Sequence, residues 1–174
     1  MKHLLLLLSI ALYSSFSAEA ADSVITVKGQ LKDNMCTVSM GSQDFYVDLN
    51  TYATNTFRSA GSASEMVPFS ITLENCGSAA SGVKINITGT TDSTNSTLLK
   101  NSVSTGMATG IGVQILSATR NVVQPNQSSN SLSSTNLVAN QTNVISYYAR
   151  MVSTTNAVIA GKVSSTANFT LQFN

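Results

Sequence analysis

Two cysteines, Cys36 and Cys76, are the side chains of this sequence best suited to covalent chemistry, and their spacing points to cross-linking. They lie too far apart for a Cys-x-x-Cys redox pair or the paired ligands of a zinc site. Closing a loop of about 40 residues stabilises a fold by about 4 kcal/mol on the chain-entropy account of disulfides. Other reactive chemistry is thin. The one histidine, His3, falls in an apolar leader, so the rest of the chain has no imidazole to act as base, activate a nucleophile or ligate a metal. A Ser-His-Asp site and the His-ligated copper and zinc centres are excluded on that ground. The carboxylates Asp22, Asp33, Asp44, Asp48, Glu65, Glu74 and Asp92 are scattered through polar stretches and read as solvated surface, not as the acid and base of a glycosidase. No catalytic residue, metal or cofactor is expected.

Binding chemistry is equally restricted. Charged residues make up 10% of the chain and the net charge is +1, which gives neither nucleic acid nor an anionic membrane surface a footprint. Tryptophan is absent, and Tyr147 and Tyr148 are neighbours on a stretch where one faces inward and the other outward, so a glycan-stacking surface is poorly advertised. Asn86, Asn95 and Asn168 open Asn-x-Ser/Thr triplets, but Asn, Ser and Thr are abundant enough for chance to explain them.

The elements that must position these residues begin with residues 1–20, where a short basic start, an apolar run and Ala18-Glu19-Ala20 form the pattern of a secretory signal peptide. Cleavage after Ala20 leaves one domain's worth of chain, with no further segment apolar enough to span a bilayer. Export to an oxidising compartment favours a Cys36–Cys76 disulfide over two free thiols. Apolar alternation then recurs at Ile25 to Leu31, Phe45 to Leu49, VPFSITLEN (67–75), VKINITG (83–89), GIGVQIL (110–116) and NVISYYARM (143–151). It ends in a C-terminal stretch with Val163, Ala167, Phe169, Leu171 and Phe173 on one parity. Polar loops are expected over Thr51 to Glu65, with a short helical turn, and over Gln124 to Gln141.

Short alternating strands without an amphipathic helix predict an all-β sandwich. Cys36 opening one strand and Cys76 closing the next would sit side by side in an antiparallel pair. From Cys36 onward there are about six core strands, the first split around Gly41 and Ser42, where the simplest immunoglobulin-like sandwich uses about seven. The extra upstream segment, with Ser23, Ile25, Val27, Gly29 and Leu31 on one face, either folds back as the seventh strand or reaches into another molecule. Nothing follows Asn174 to cover the last strand, so its free edge needs an occupant.

The stretches ADSVITVKGQLKDNMCTV (21–38), VPFSITLENCG (67–77), STLLKN (96–101), GIGVQIL, SYYARMVST (146–154) and AGKVSSTANFTLQFN (160–174) together resemble the pilins of the chaperone-usher pathway, and within them the minor tip-adaptor subunits of type 1 fimbriae. The resemblance spans nearly all of the chain after the leader. It implies an incomplete immunoglobulin-like Greek-key sandwich lacking its seventh strand, with 21–33 a donor-strand extension and 34–174 the pilin domain. The missing strand would come first from a periplasmic chaperone and then from the next subunit.

On this resemblance Ser23, Ile25, Val27, Gly29 and Leu31 are the donor-strand residues, with Gly29 where the receiving groove is narrow. Gly161, fourteen residues from the end, Val163, Ala167, Phe169, Leu171 and the penultimate Phe173 form the edge strand that chaperone and donor pair with. Many relatives place Tyr at that penultimate position. The Asn174 carboxylate would anchor in a basic cleft of the chaperone. Partners implied are other subunits of the fimbria (a rod pilin on one side, a tip-proximal adaptor on the other), the chaperone and an outer-membrane usher, with no nucleic acid and no membrane insertion. The role is structural and non-enzymatic: export through the periplasm into a cell-surface fimbria that contributes to adhesion. A major rod pilin is the alternative, and a glycan-binding tip adhesin, which carries an additional receptor-binding domain, the more distant one. Four buried aliphatic donor residues, at about 1.5 to 3 kcal/mol each as an upper bound, approach the whole stability of a small domain. Exchanging one donor for another could then drive assembly without nucleotide hydrolysis.

Overall fold

Val67–Glu74 alternates apolar and polar side chains, and in the computed structural model, which describes residues 35–174, it is the strand β2. The short β1 (Thr37–Val38) pairs antiparallel with its end, Thr37 opposite Glu74, and the Cys36–Cys76 disulfide closes beside that pairing. The Cα atoms of the two cysteines are 4.1 Å apart, the adjacency expected from the sequence. A single helical turn, α1 (Met40–Gln43), interrupts the chain where Gly41 and Ser42 were expected to split the first strand. The Ser42 hydroxyl, itself buried, accepts the Thr72 amide and ties this turn to β2.

Seven further strands follow in order: β3 (Gly82–Gly89), β4 (Leu99–Lys100), β5 (Ile111–Ser117), β6 (Val122–Val123), β7 (Ser134–Asn136), β8 (Asn143–Ser153) and β9 (Ala167–Phe173). The first sheet runs β1-β2-β8-β5-β4, with β6 also on β5, and the second runs β7-β3-β9. All of these ladders are antiparallel. The protein is an all-β sandwich of the incomplete immunoglobulin-like kind. Ile71, Leu73, Val83, Ile85, Ile87, Val113, Ile115 and Tyr147 fill the space between the sheets.

The loop over Gln124 to Gln141 contains more structure than its polarity suggested. Its residues Ser134–Asn136 form β7, an exposed strand whose side chains carry no hydrophobic signal. Asn86 donates to the Gln127 carbonyl and the Asn126 amide to the Ile87 carbonyl, so this loop lies along β3 on the side away from β9. The expected helical turn between Thr51 and Glu65 is a 3-10 helix at Thr54–Phe57, which buries Phe57. No helix among the described residues is long and apolar enough to cross a membrane. The leader, and the upstream residues Ser23, Ile25, Val27, Gly29 and Leu31, lie outside the described residues.

Candidate functional site

Among the described residues β9 is paired on one side only. Its register with β3 sets Phe173 opposite Val83, Leu171 opposite Ile85 and Phe169 opposite Ile87, and among the described residues no strand pairs its second edge. The three β3 residues are 0%, 7% and 4% exposed. Their β9 partners, on the same inward face, are only half-buried. Cross-strand neighbours on one face normally share burial, because the layer that covers one covers the other. Here the covering stops between them.

The second rim of this flank comes from Phe45 to Leu49. Phe45, Val47 and Leu49 are half-buried and alternate with exposed Tyr46 and Asp48, the period-two signature of a strand, yet among the described residues the segment belongs to no ladder. Phe45 lies against Phe69 at 5.8 Å between ring centroids, and Phe69 stacks on Tyr147 at 5.5 Å. Val47 and Leu49 pack against the main core, which Phe169, Leu171 and Phe173 also touch. The sequence marked Phe45 to Leu49 as a strand but not as a rim. Among the described residues this extended, alternating segment has no backbone partner.

The two rims lie on the same side of the sandwich. The other edge of β3 pairs with β7 and is bonded to residues 126–129, which follow β6. Val38 and Cys36 sit beside the end of β2, and Leu49 reaches the cluster of Phe57, Ile111 and Met151 that Val163 also joins. Leu49 and Val163 thus share one cluster ahead of the start of β9.

The predicted edge residues divide into two groups. Ala167, Phe169, Leu171 and Phe173 lie on β9, and the parity extends back to half-buried Val163, as the sequence suggested. Gly161 and Val163 precede the paired strand. At Gly161 the chain crosses Met107 and Ala108 so closely that a Cβ would collide with their backbone. Asn174 is held at the other end by its amide, which donates to the Gly82 carbonyl at 3.1 Å, and by its side chain, which donates to the Ser134 hydroxyl.

A buried asparagine that the sequence did not single out fixes the start of this strand. Asn101, 6% exposed, donates through Nδ2 to the carbonyls of Ala108 at 2.8 Å and Lys162 at 3.2 Å, while its Oδ1 accepts the Ser164 amide at 2.7 Å. The Ser102 amide adds a bond to the Ser164 carbonyl, and the Ser165 hydroxyl one to the Lys100 carbonyl. The Lys162 and Ser164 partners, 61 and 63 residues away, leave no local pattern to read.

The chemistry available along this flank is backbone pairing and apolar insertion. Every inward side chain named on the two rims is uncharged and apolar, and among the described residues no group of three or more His, Cys, Asp or Glu could hold a metal. Burial raises the Tyr147 phenol above its ordinary value of 10.0, so it stays neutral over the physiological range.

Comparison with known proteins points the same way. The family model described as "Fimbrial protein" matches residues 25–174. The "Uncharacterized fimbrial-like protein YdeS" of Escherichia coli (strain K12) is 39% identical over 92% of this chain and 91% of its own. The "S-fimbrial protein subunit SfaG" of Escherichia coli O6:K15:H31 (strain 536) is 33% identical over 88% and 85%. Among solved structures, the P pilus rod subunit PapA matches with a TM-score of 0.66 at 25% identity, covering 80% of this chain and 99% of that one.

Proposed function

The chain belongs to the fimbrial protein family, and on that premise we propose that it is a non-enzymatic structural subunit that receives a donor strand between β9 and Phe45 to Leu49 and donates its own residues 21–33 to a neighbour. The half-burial of Phe169, Leu171 and Phe173 opposite the fully buried β3 residues carries this reading. Ser23, Ile25, Val27, Gly29 and Leu31 supply the matching alternation. A periplasmic chaperone occupies the flank first, pairing along β9 with the Asn174 carboxylate as anchor, and an outer-membrane usher passes the subunit into a surface fimbria. Residues 1–20 direct export.

Within the fibre, the adaptor position between rod and tip is the reading that the resemblance to tip-adaptor subunits favours. The rod position has separate support in the names of relatives, among them a "Major fimbrial subunit SMF-1" of Stenotrophomonas maltophilia that is 32% identical over 91% of this chain. The test is periplasmic expression of two forms without any chaperone: the natural chain, and one extended after Asn174 by a flexible linker and a second copy of residues 22–33. The natural chain is expected to aggregate or be degraded while the extended one accumulates as a folded monomer. Equal, stable accumulation of both contradicts the proposal.

A further inference from the structure

Donor-strand pairing fixes more than the groove, because the donor's domain must follow its strand. Antiparallel pairing is the more stable arrangement and the one used throughout both sheets. A donor antiparallel to β9 leaves the groove at the Ala167 end, beside Gly161 to Ser165. In this chain four residues separate Leu31 from Cys36, so the five steps between their Cα atoms reach at most about 17 Å. The neighbour's disulfide end is therefore delivered directly onto the end of the acceptor where β9 begins.

Those two ends carry most of the large apolar side chains that the described residues expose. At the β9-start end, Val103 is 81% and Ile159 63% exposed, on loops joined by the Thr109–Ile159 bridge and by the Ser102 amide bonding the Ser164 carbonyl. At the disulfide end, Val138 is 54% and Val144 60% exposed, close to Cys76 through Asn143, whose Nδ2 lies 3.3 Å from the Cys76 sulfur and whose Oδ1 accepts the Val138 amide. Met40, 87% exposed, sits at the same end in the turn that Ser42 ties to Thr72, the residue opposite Val144. Single exposed aliphatics need no explanation, but pairs at the two ends that the linker brings together do.

We infer that the disulfide end of a second copy of this chain docks on the β9-start end of the first, with Val138 and Val144 of one copy covering Val103 and Ile159 of the other. The inference rests on the donor-strand reading. The patches are different surfaces, so the contact is heterologous and repeats without closing, which is the geometry of a filament. The groove supplies the grip, and the end contact sets the angle between successive domains.

The experiment immobilises the chain and measures dissociation of two probes: a second full chain, and a synthetic peptide of residues 22–33. With the acceptor variant carrying Val103→Glu and Ile159→Glu, dissociation of the second chain is expected to quicken by about tenfold or more, while that of the peptide stays within about twofold. The reciprocal Val138→Glu and Val144→Glu pair on the incoming chain is expected to do the same. Intact peptide binding shows that the variants are folded. If the peptide binds and neither variant pair changes the second chain's dissociation, end docking is wrong and the donor-strand reading survives. If the peptide does not bind the natural chain, both fall together.

Discussion

Ile85 and Leu171 stand opposite one another on the inward face of the second sheet, yet Ile85 is 7% exposed and Leu171 is only half-buried. The same step separates Val83 from Phe173 and Ile87 from Phe169. A core that is complete on one side of a ladder and incomplete on the other places the missing layer beside β9. The unpaired alternation of Phe45, Val47 and Leu49 marks its far boundary.

Leu171→Ala should therefore behave unlike a core truncation. In the chain without a donor it is expected to cost about 1 kcal/mol, against about 2 to 5 kcal/mol for Leu73→Ala at a fully buried site. With donor peptide present the two costs should converge, because the added strand completes the burial of Leu171. Guanidinium unfolding of both variants, with and without peptide, measures the difference.

The start of β9 depends on backbone approach and on one amide. Gly161→Ala is expected to destabilise the fold by roughly 2 kcal/mol or more, since the Cβ has no room against Met107 and Ala108. Asn101→Ala should cost about 2 to 4 kcal/mol by leaving the Ala108 carbonyl and the Ser164 amide without their partner and by removing one of the two bonds to the Lys162 carbonyl, which keeps the Ala108 amide. Amide exchange resolved by residue should show faster exchange at 161–167 in both variants. Unchanged protection there would contradict the clamp.

Fold class was legible because the longer strands alternate cleanly, and the disulfide because only two cysteines stand at positions an antiparallel pair brings together. β7 was not, since Ser134, Thr135 and Asn136 are all exposed and their pairing with β3 leaves no hydrophobic trace. Gly161 was legible as a position but not as a close contact with Met107, 54 residues away, and Asn101 not at all, because its Lys162 and Ser164 partners lie more than 60 residues away in sequence. Phe45 to Leu49 was expected to be a strand, and its alternation persists, but it joins no ladder among the described residues. Its role as a rim became visible only from its lack of a partner.

Replacing Cys36 and Cys76 together by Ala should lower stability by about 2 to 5 kcal/mol and loosen β1, which pairs with β2 through only two residues. Adding reductant to the natural chain should reproduce the loss. A melting temperature indifferent to both changes would remove the disulfide from the account.

Tyr147 gives a pH signature. Its folded pKa lies above 10.0, so the neutral phenol's contribution is fully present below the unfolded value and is lost as pH rises through the folded one. Stability should start to fall as pH passes about 10, and Tyr147→Phe should reduce that dependence. Thermal unfolding from pH 8 to 11 compares the two.

The central claim is that the domain is completed by a strand from outside, and guanidinium unfolding tests it most directly. Three samples are compared: the natural chain from Ala21, a version lacking residues 21–32, and that version with a synthetic peptide of residues 22–33. The account predicts that truncation alone changes stability little, while the peptide raises it by several kcal/mol, as expected for burying three or four aliphatic side chains. If truncation alone abolishes cooperative unfolding and the peptide restores nothing, residues 21–33 are an integral strand of their own domain and the donor-strand account is wrong.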